Sequence, residues 1–134
     1  MKANVSKSIA AGIVGTIVMS LVILMAPYMG MPKMSPPAMV AGMLGMPLIV
    51  GWIMHFMIGI AYAFVYVYLF DPKVKIANTL LSGLLFGFLA FVFAKIMMTI
   101  MGMAPGEGSM VMLLMATLIG HLVFGLGVAF TARK

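Results

Sequence analysis

The sequence predicts an all-α fold: a four-transmembrane-helix bundle built from two repeated helical hairpins, with a short outer-surface helix in the first loop. Three observations predict it. The chain of 134 residues is 65% hydrophobic and only 7% charged, a composition that reads as membrane-spanning rather than water-soluble. It divides into four apolar runs, each reaching the roughly 20 residues that cross a hydrocarbon core. And one motif is written twice. His55-Phe56-Met57-Ile58-Gly59-Ile60-Ala61-Tyr62-Ala63-Phe64 matches His121-Leu122-Val123-Phe124-Gly125-Leu126-Gly127-Val128-Ala129-Phe130 at His, Gly, Ala and Phe, and Met29-Gly30-Met31 returns as Met101-Gly102-Met103. Helix is preferred to strand because an open strand leaves backbone groups unpaired in lipid.

The elements follow in order. The first span runs from about Val5 to Ala26 and stops at Pro27. Lys2 and Lys7 before an apolar run also suit a cleaved signal peptide, but the run is long for a signal core and lacks a clear small-x-small cleavage site. Next comes the stretch Met34 to Pro47. Ser35 suits an N-cap and Pro36 and Pro37 suit a first helical turn; Pro47 ends the segment, which is too short to cross. The second span runs from about Leu48 to Phe70 and ends at Asp71-Pro72. The third runs from about Ala77 to Met103, the fourth from about Met110 to Thr131. The expectation is one integral membrane domain over residues 1–134, with repeat 1 at about 5–70 and repeat 2 at about 77–131.

Charge sets the topology. The net charge is +6, yet the basic residues lie almost wholly at helix ends and form no nucleic-acid footprint. Lys2, Lys7, Lys73, Lys75, Arg133 and Lys134 fall at the two termini and the middle loop, whereas the opposite loops carry only Lys33, with Glu107 as the single acid. Positive residues stay on the cytoplasmic side, so the prediction is a multi-pass protein of the inner (cytoplasmic) membrane with both termini cytoplasmic. Tyr66, Tyr68 and Phe70 suit the inner interface, Tyr28 and Trp52 the outer one. A two-span repeat returns the chain to its starting side, so the copies share topology about an approximate two-fold axis along the membrane normal. The first helices then pair Gly15 with Gly87 and Met31 with Met103. The second pair His55 with His121 at a shorter offset, which leaves the first outer loop the longer one.

Ionisable groups at membrane depth are costly and usually mark function. His55 sits about two turns below the outer end of its helix, and His121 about two to three. Gly51 and Gly59 flank His55 on one face, Thr117 and Gly125 flank His121. This small and polar face is expected to point into the bundle. The favoured reading is structural: each imidazole bonds a carbonyl or hydroxyl on a neighbouring helix, such as Ser20, Thr16 or Thr99. The second reading is b-type haem ligated by both histidines, with Gly59 and Gly125 making room for the macrocycle and Lys95 pairing with a propionate. Proton relay, metal transport and a lipid or quinone pocket complete the set; a relay would want intramembrane carboxylates, which the spans lack.

Lys95 is the one formal charge inside a span. It stands where the first unit has Ile23, and it is expected to snorkel outward or to meet Glu107. The 18 methionines crowd two outer regions, Met29 to Met46 and Met97 to Met110. Thioethers favour Cu(I), so the Met-x-Met pairs allow a copper reading. The heavier reading is an adaptable apolar contact surface, and no metal site is assigned. The absence of cysteine excludes disulfides, thiolate metal sites and cysteine nucleophiles. With Asp71 as the sole aspartate, away from both histidines, no Ser-His-Asp set is available. No catalytic residue is assigned and an autonomous enzyme is not expected.

Three segments carry a resemblance: Ala26-Pro27-Tyr28-Met29-Gly30-Met31-Pro32-Lys33-Met34, Gly51-Trp52-Ile53-Met54-His55-Phe56-Met57-Ile58-Gly59 and Ile119-Gly120-His121-Leu122-Val123-Phe124-Gly125. Through them the chain resembles a group of small, uncharacterised prokaryotic four-span membrane proteins. The resemblance implies the architecture and no chemistry. The functional expectation is a small accessory subunit of a larger, respiratory or redox, membrane complex, whose partners are the lipid bilayer and other integral membrane subunits. The alternatives are an electron-transfer haem b subunit with His55 and His121 as ligands, and an oligomeric permease for a small solute or metal.

Overall fold

A computed structural model of the chain describes residues 2–103 and 108–134, with side chains from residue 4 onward. Every regular element among the described residues is helical. They are α1 (Lys2–Met25), a 3-10 turn (Ala26–Met29), α2 (Pro36–Leu44), α3 (Leu48–Val65), a π-helical turn (Tyr66–Phe70), α4 (Asp71–Val74), α5 (Thr79–Ile100) and α6 (Met110–Ala132). Four stretches are long and apolar enough to cross a membrane: Asn4–Met29, Leu48–Val74, Thr79–Ile100 and Met110–Ala132. The chain is a multi-pass membrane protein with an all-α fold.

The helix ends lie where local chemistry puts them. α1 stops at Met25, and Pro27 enters a 3-10 turn closed by Gly30 in the left-handed conformation. α2 starts at the expected cap: the Ala38 N–H donates to Ser35 Oγ at 3.4 Å, and two prolines fill the first turn. Asn78 Oδ1 accepts from the Leu81 N–H at 3.2 Å and starts α5. Pro72 behaves differently. It does not end the second span, which continues to Val74. A proline inside a helix removes one N–H and crowds the preceding turn. Here the preceding turn, Tyr66–Phe70, widens to a π-helix, which lets the chain pass into the short α4.

The pattern of burial inverts that of a soluble domain. Large apolar side chains such as Leu21, Leu24, Ile49, Ile53, Phe93 and Val111 face outward, while Ser8, Ala11, Thr16, Ala63, Ser82, Thr117 and Ala129 lie inside. Small interior residues let helix backbones approach, which is what drives association when lipid removes the hydrophobic contrast. Three interior hydroxyls are satisfied within their own helices: Ser8 donates to the Asn4 carbonyl at 2.8 Å, Thr16 to Gly12 at 2.7 Å, Thr117 to Leu113 at 2.8 Å.

α1 is central. It packs against α3 on one side and α6 on the other; α5 packs on α6, and α2 lies against α3. A two-fold axis between hairpins would exchange α1 with α5 and α3 with α6, making the α3–α5 contact the twin of the α1–α6 contact. The two seams differ. At α1–α6, glycine meets glycine: a Cβ on Gly127 would lie 2.9 Å from Gly15 Cα. At α3–α5 the backbones stand further apart, and rings fill the space, with centroids 6.0 Å apart for Tyr62–Phe93, 5.0 Å for Tyr66–Phe86 and 5.3 Å for Phe70–Phe86. Tyr66 and Phe70 are therefore core residues; of that cluster only Tyr68 is exposed.

Candidate functional site

His55 sits on the face of α3 formed by Gly51, His55, Gly59 and Ala63, and this face turns inward, as expected from its small residues. Gly51, Gly59 and Ala63 are buried and His55 is half-buried. Gly51 backs onto α2, where a Cβ would strike the Pro37 carbonyl oxygen. Gly59 backs onto α1, where a Cβ would strike Thr16 Oγ1. Between them, His55 Nε2 faces Ser20 Oγ of α1 at 3.4 Å. The ring is boxed by Trp52 and Phe56, at centroid distances of 6.1 and 6.4 Å.

His121 has the same neighbours in sequence and a different partner in space. Its Nδ1–H donates to the Thr117 carbonyl of its own helix at 2.7 Å. A carbonyl can only accept, so this bond fixes the proton on Nδ1 in the neutral ring and leaves Nε2 with a lone pair. The register that pairs Gly15 with Gly87 would set Val92 in the place of Ser20, but Val92 is exposed, and the imidazole bonds its own backbone. Phe91 of α5 meets the ring edge to face at 5.9 Å.

Lys95 completes a short chain of contacts. Its ammonium lies 5.8 Å from the Phe91 ring centroid, within reach of a cation–π attraction; Phe91 in turn touches His121. The residue that the sequence offered as its acid, Glu107, lies outside the described residues. Thr99 donates to the Lys95 carbonyl at 2.9 Å and does not serve either histidine.

The glycines decide how well a flat cofactor fits. A Cβ on Gly125 would strike the Gly83 carbonyl oxygen and lie 2.6 Å from Gly87 Cα, while a Cβ on Gly87 would strike the His121 carbonyl oxygen. Gly125 therefore accommodates α5, and Gly59 accommodates Thr16 of α1. The room beside these two glycines is therefore occupied by neighbouring helices.

Two features went unread in the sequence. One is Gly83-x-x-x-Gly87, a close-packing motif that receives Gly125 and was legible from its spacing. The other is a polar lock at the end of the bundle that holds both termini. Arg133 pairs with Asp71 and donates from Nε to Asp71 Oδ1 at 3.1 Å. It also donates to the Ile76 carbonyl at 2.8 Å and to Ser82 Oγ at 3.1 Å. Ser82 is bonded to the hydroxyl of fully buried Tyr66 at 2.8 Å. The Asp71 carboxylate raises the Arg133 pKa above its ordinary value. Nearby, Lys7 Nζ donates to the Lys134 carbonyl at 3.0 Å. Asp71 and Arg133 are far apart in sequence, and no spacing rule links them.

This whole arrangement is covered by a match of residues 2–134 to a family described as a family of unknown function, DUF6789. The chain belongs to that family. No curated protein and no solved structure matches it. Membership spans the full bundle and both histidine motifs, and assigns no activity to either.

Proposed function

We propose that this chain is a small accessory membrane subunit of a larger complex, respiratory or redox in kind, in which it packs against and orients other spans. The observation that carries the reading is how the histidines and glycines of the repeated motif are employed. Both imidazoles are hydrogen-bonded inside the bundle, one to Ser20 and one to Thr117, and the glycines beside them seat neighbouring helices. The outer surface is a continuous display of large apolar and methionine side chains, among them Met57, Met112 and Met115, a surface suited to adaptable contact with other helices. The two halves are read as a duplicated hairpin. Lys7, Arg133 and Lys134 gather at one end, which under the positive-inside rule is the cytoplasmic end of a prokaryotic inner-membrane protein.

Co-purification in mild detergent tests the reading. The expected result is a stoichiometric partner that spans the membrane. A chain that runs alone, or only with copies of itself, defeats the accessory role and turns attention to an oligomeric permease. An absorbance spectrum is the second arm. A reducible Soret and α-band pair, lost in both His55→Ala and His121→Ala, would replace the packing role with electron transfer through haem.

A further inference from the structure

The bundle end opposite the termini carries the two methionine-rich regions, and folding brings them together. Met39 and Met43 lie one turn apart on the same face of α2. Met101 and Met103 flank Gly102 just past α5. Gly102 takes a φ of +66°, and the turn is closed by N–H donation from Met101 to the Met97 carbonyl and from Met103 to the Met98 carbonyl, both at 2.9 Å. The four side chains and Gly102 line an open-sided cavity of about 230 Å³. The other Met-x-Met turn, Met29-Gly30-Met31, contributes nothing to it; α2 belongs to the first loop and reaches the end of the second hairpin's first helix.

The chemistry of this lining is specific. Thioethers are soft, neutral donors that suit Cu(I) and do not suit hard ions such as Mg or Ca. Among the described residues the cavity is lined by four methionines and Gly102, so the side-chain donors they offer are thioethers. Methionine's three rotatable bonds let the sulfurs converge on an ion. Electrostatics favours a cation at this place: Met43 lies in the last turn of α2 and Met101 caps α5, and the aligned peptide dipoles give a helix C-terminus partial negative charge. Two such ends border one cavity.

We propose that Met39, Met43, Met101 and Met103 form a binding site for a soft monovalent cation of the Cu(I) class, held by neutral thioethers where the C-terminal ends of α2 and α5 meet. The site is independent of which subunits the chain contacts.

The test is titration of the purified full chain in detergent with Ag(I), a redox-inert stand-in for Cu(I). The native chain is expected to take up a single equivalent. A variant with Met39, Met43, Met101 and Met103 all changed to Leu keeps volume and hydrophobicity, and should bind roughly tenfold more weakly or worse. Met57→Leu and Met112→Leu, on exposed positions elsewhere, should bind as the native chain does. If the quadruple variant fails to fold, Met43→Leu with Met101→Leu gives the same readout at smaller size, because both side chains are exposed. Thioethers do not titrate, so uptake should be equal at about pH 5 and about pH 8, where imidazole ligation would weaken on acidification. No uptake by the native chain overturns the proposal. So does undiminished uptake by the folded variants, or binding that collapses at the acid end.

Discussion

His55 and His121 occupy matching places in a repeated motif, and their surroundings diverge. The first imidazole faces a hydroxyl on the neighbouring helix; the second bonds its own backbone. The glycines one turn on diverge as well. Gly59 abuts a side chain, Thr16, whereas Gly125 abuts the backbone of α5 at Gly83 and Gly87. The two seams between the hairpins repeat the contrast, one closed by glycines and the other filled by rings. A repeated motif thus specifies a residue and the face it occupies. What that residue touches is decided by the neighbouring helix, Ser20 of α1 for His55 and Phe91 of α5 for His121.

The sharpest way to break the comparison of the seams is Tyr66→Ala. Tyr66 is fully buried between Phe70 and Phe86, and removing a buried ring costs about 3–5 kcal/mol. Reversible unfolding in mixed micelles should show that loss. A cost near zero would mean that the α3–α5 seam is not held by rings. Gly125→Ala comes next, at roughly 2–3 kcal/mol, because its Cβ meets backbone that cannot turn aside. Gly59→Ala should cost less, about 1 kcal/mol, and Thr16→Ala in the same chain should restore most of it by removing the obstructing hydroxyl. Equal costs at the two glycines, with no rescue, would erase the distinction between side-chain and backbone walls.

Smaller effects probe the histidines and the lock. A double-mutant cycle of Ser20→Ala with His55→Ala should give a coupling of about 0.6 kcal/mol, the usual size for a hydrogen bond between spans, whereas Ser20→Ala with His121→Ala should be additive. The smallest effect belongs to Arg133→Gln, about 1 kcal/mol or less because the ion pair is partly exposed. The Arg133 pKa is raised in the folded state. Its contribution is therefore complete below the unfolded pKa and lost only as pH rises through the folded value, beyond the ordinary alkaline range of arginine. The difference between native and variant stability should thus be the same at about pH 7 and about pH 10. A difference that fades at the higher pH would show that Arg133 is not the group responsible.

By itself, the sequence determined the elements. Hydropathy placed four spans, Ser35 with Pro36 and Pro37 began α2, Pro27 ended α1, and the small residues around His55 marked an inward face. These signals act within a turn or two of helix, so they can be read along the chain. Pro72 shows their limit: its effect depended on the widened turn before it, and the span went on to Val74. Tertiary structure picked Ser20 for His55 from the hydroxyls the sequence offered, and alone decided the other partners: Gly83 and Gly87 for Gly125, Asp71 for Arg133, and α2 for the methionines after α5. The physical reason is that nearly uniform apolarity leaves a helix's rotation and neighbours unmarked in the sequence. Those are settled by close packing of small residues and by hydrogen bonds between segments far apart in the chain.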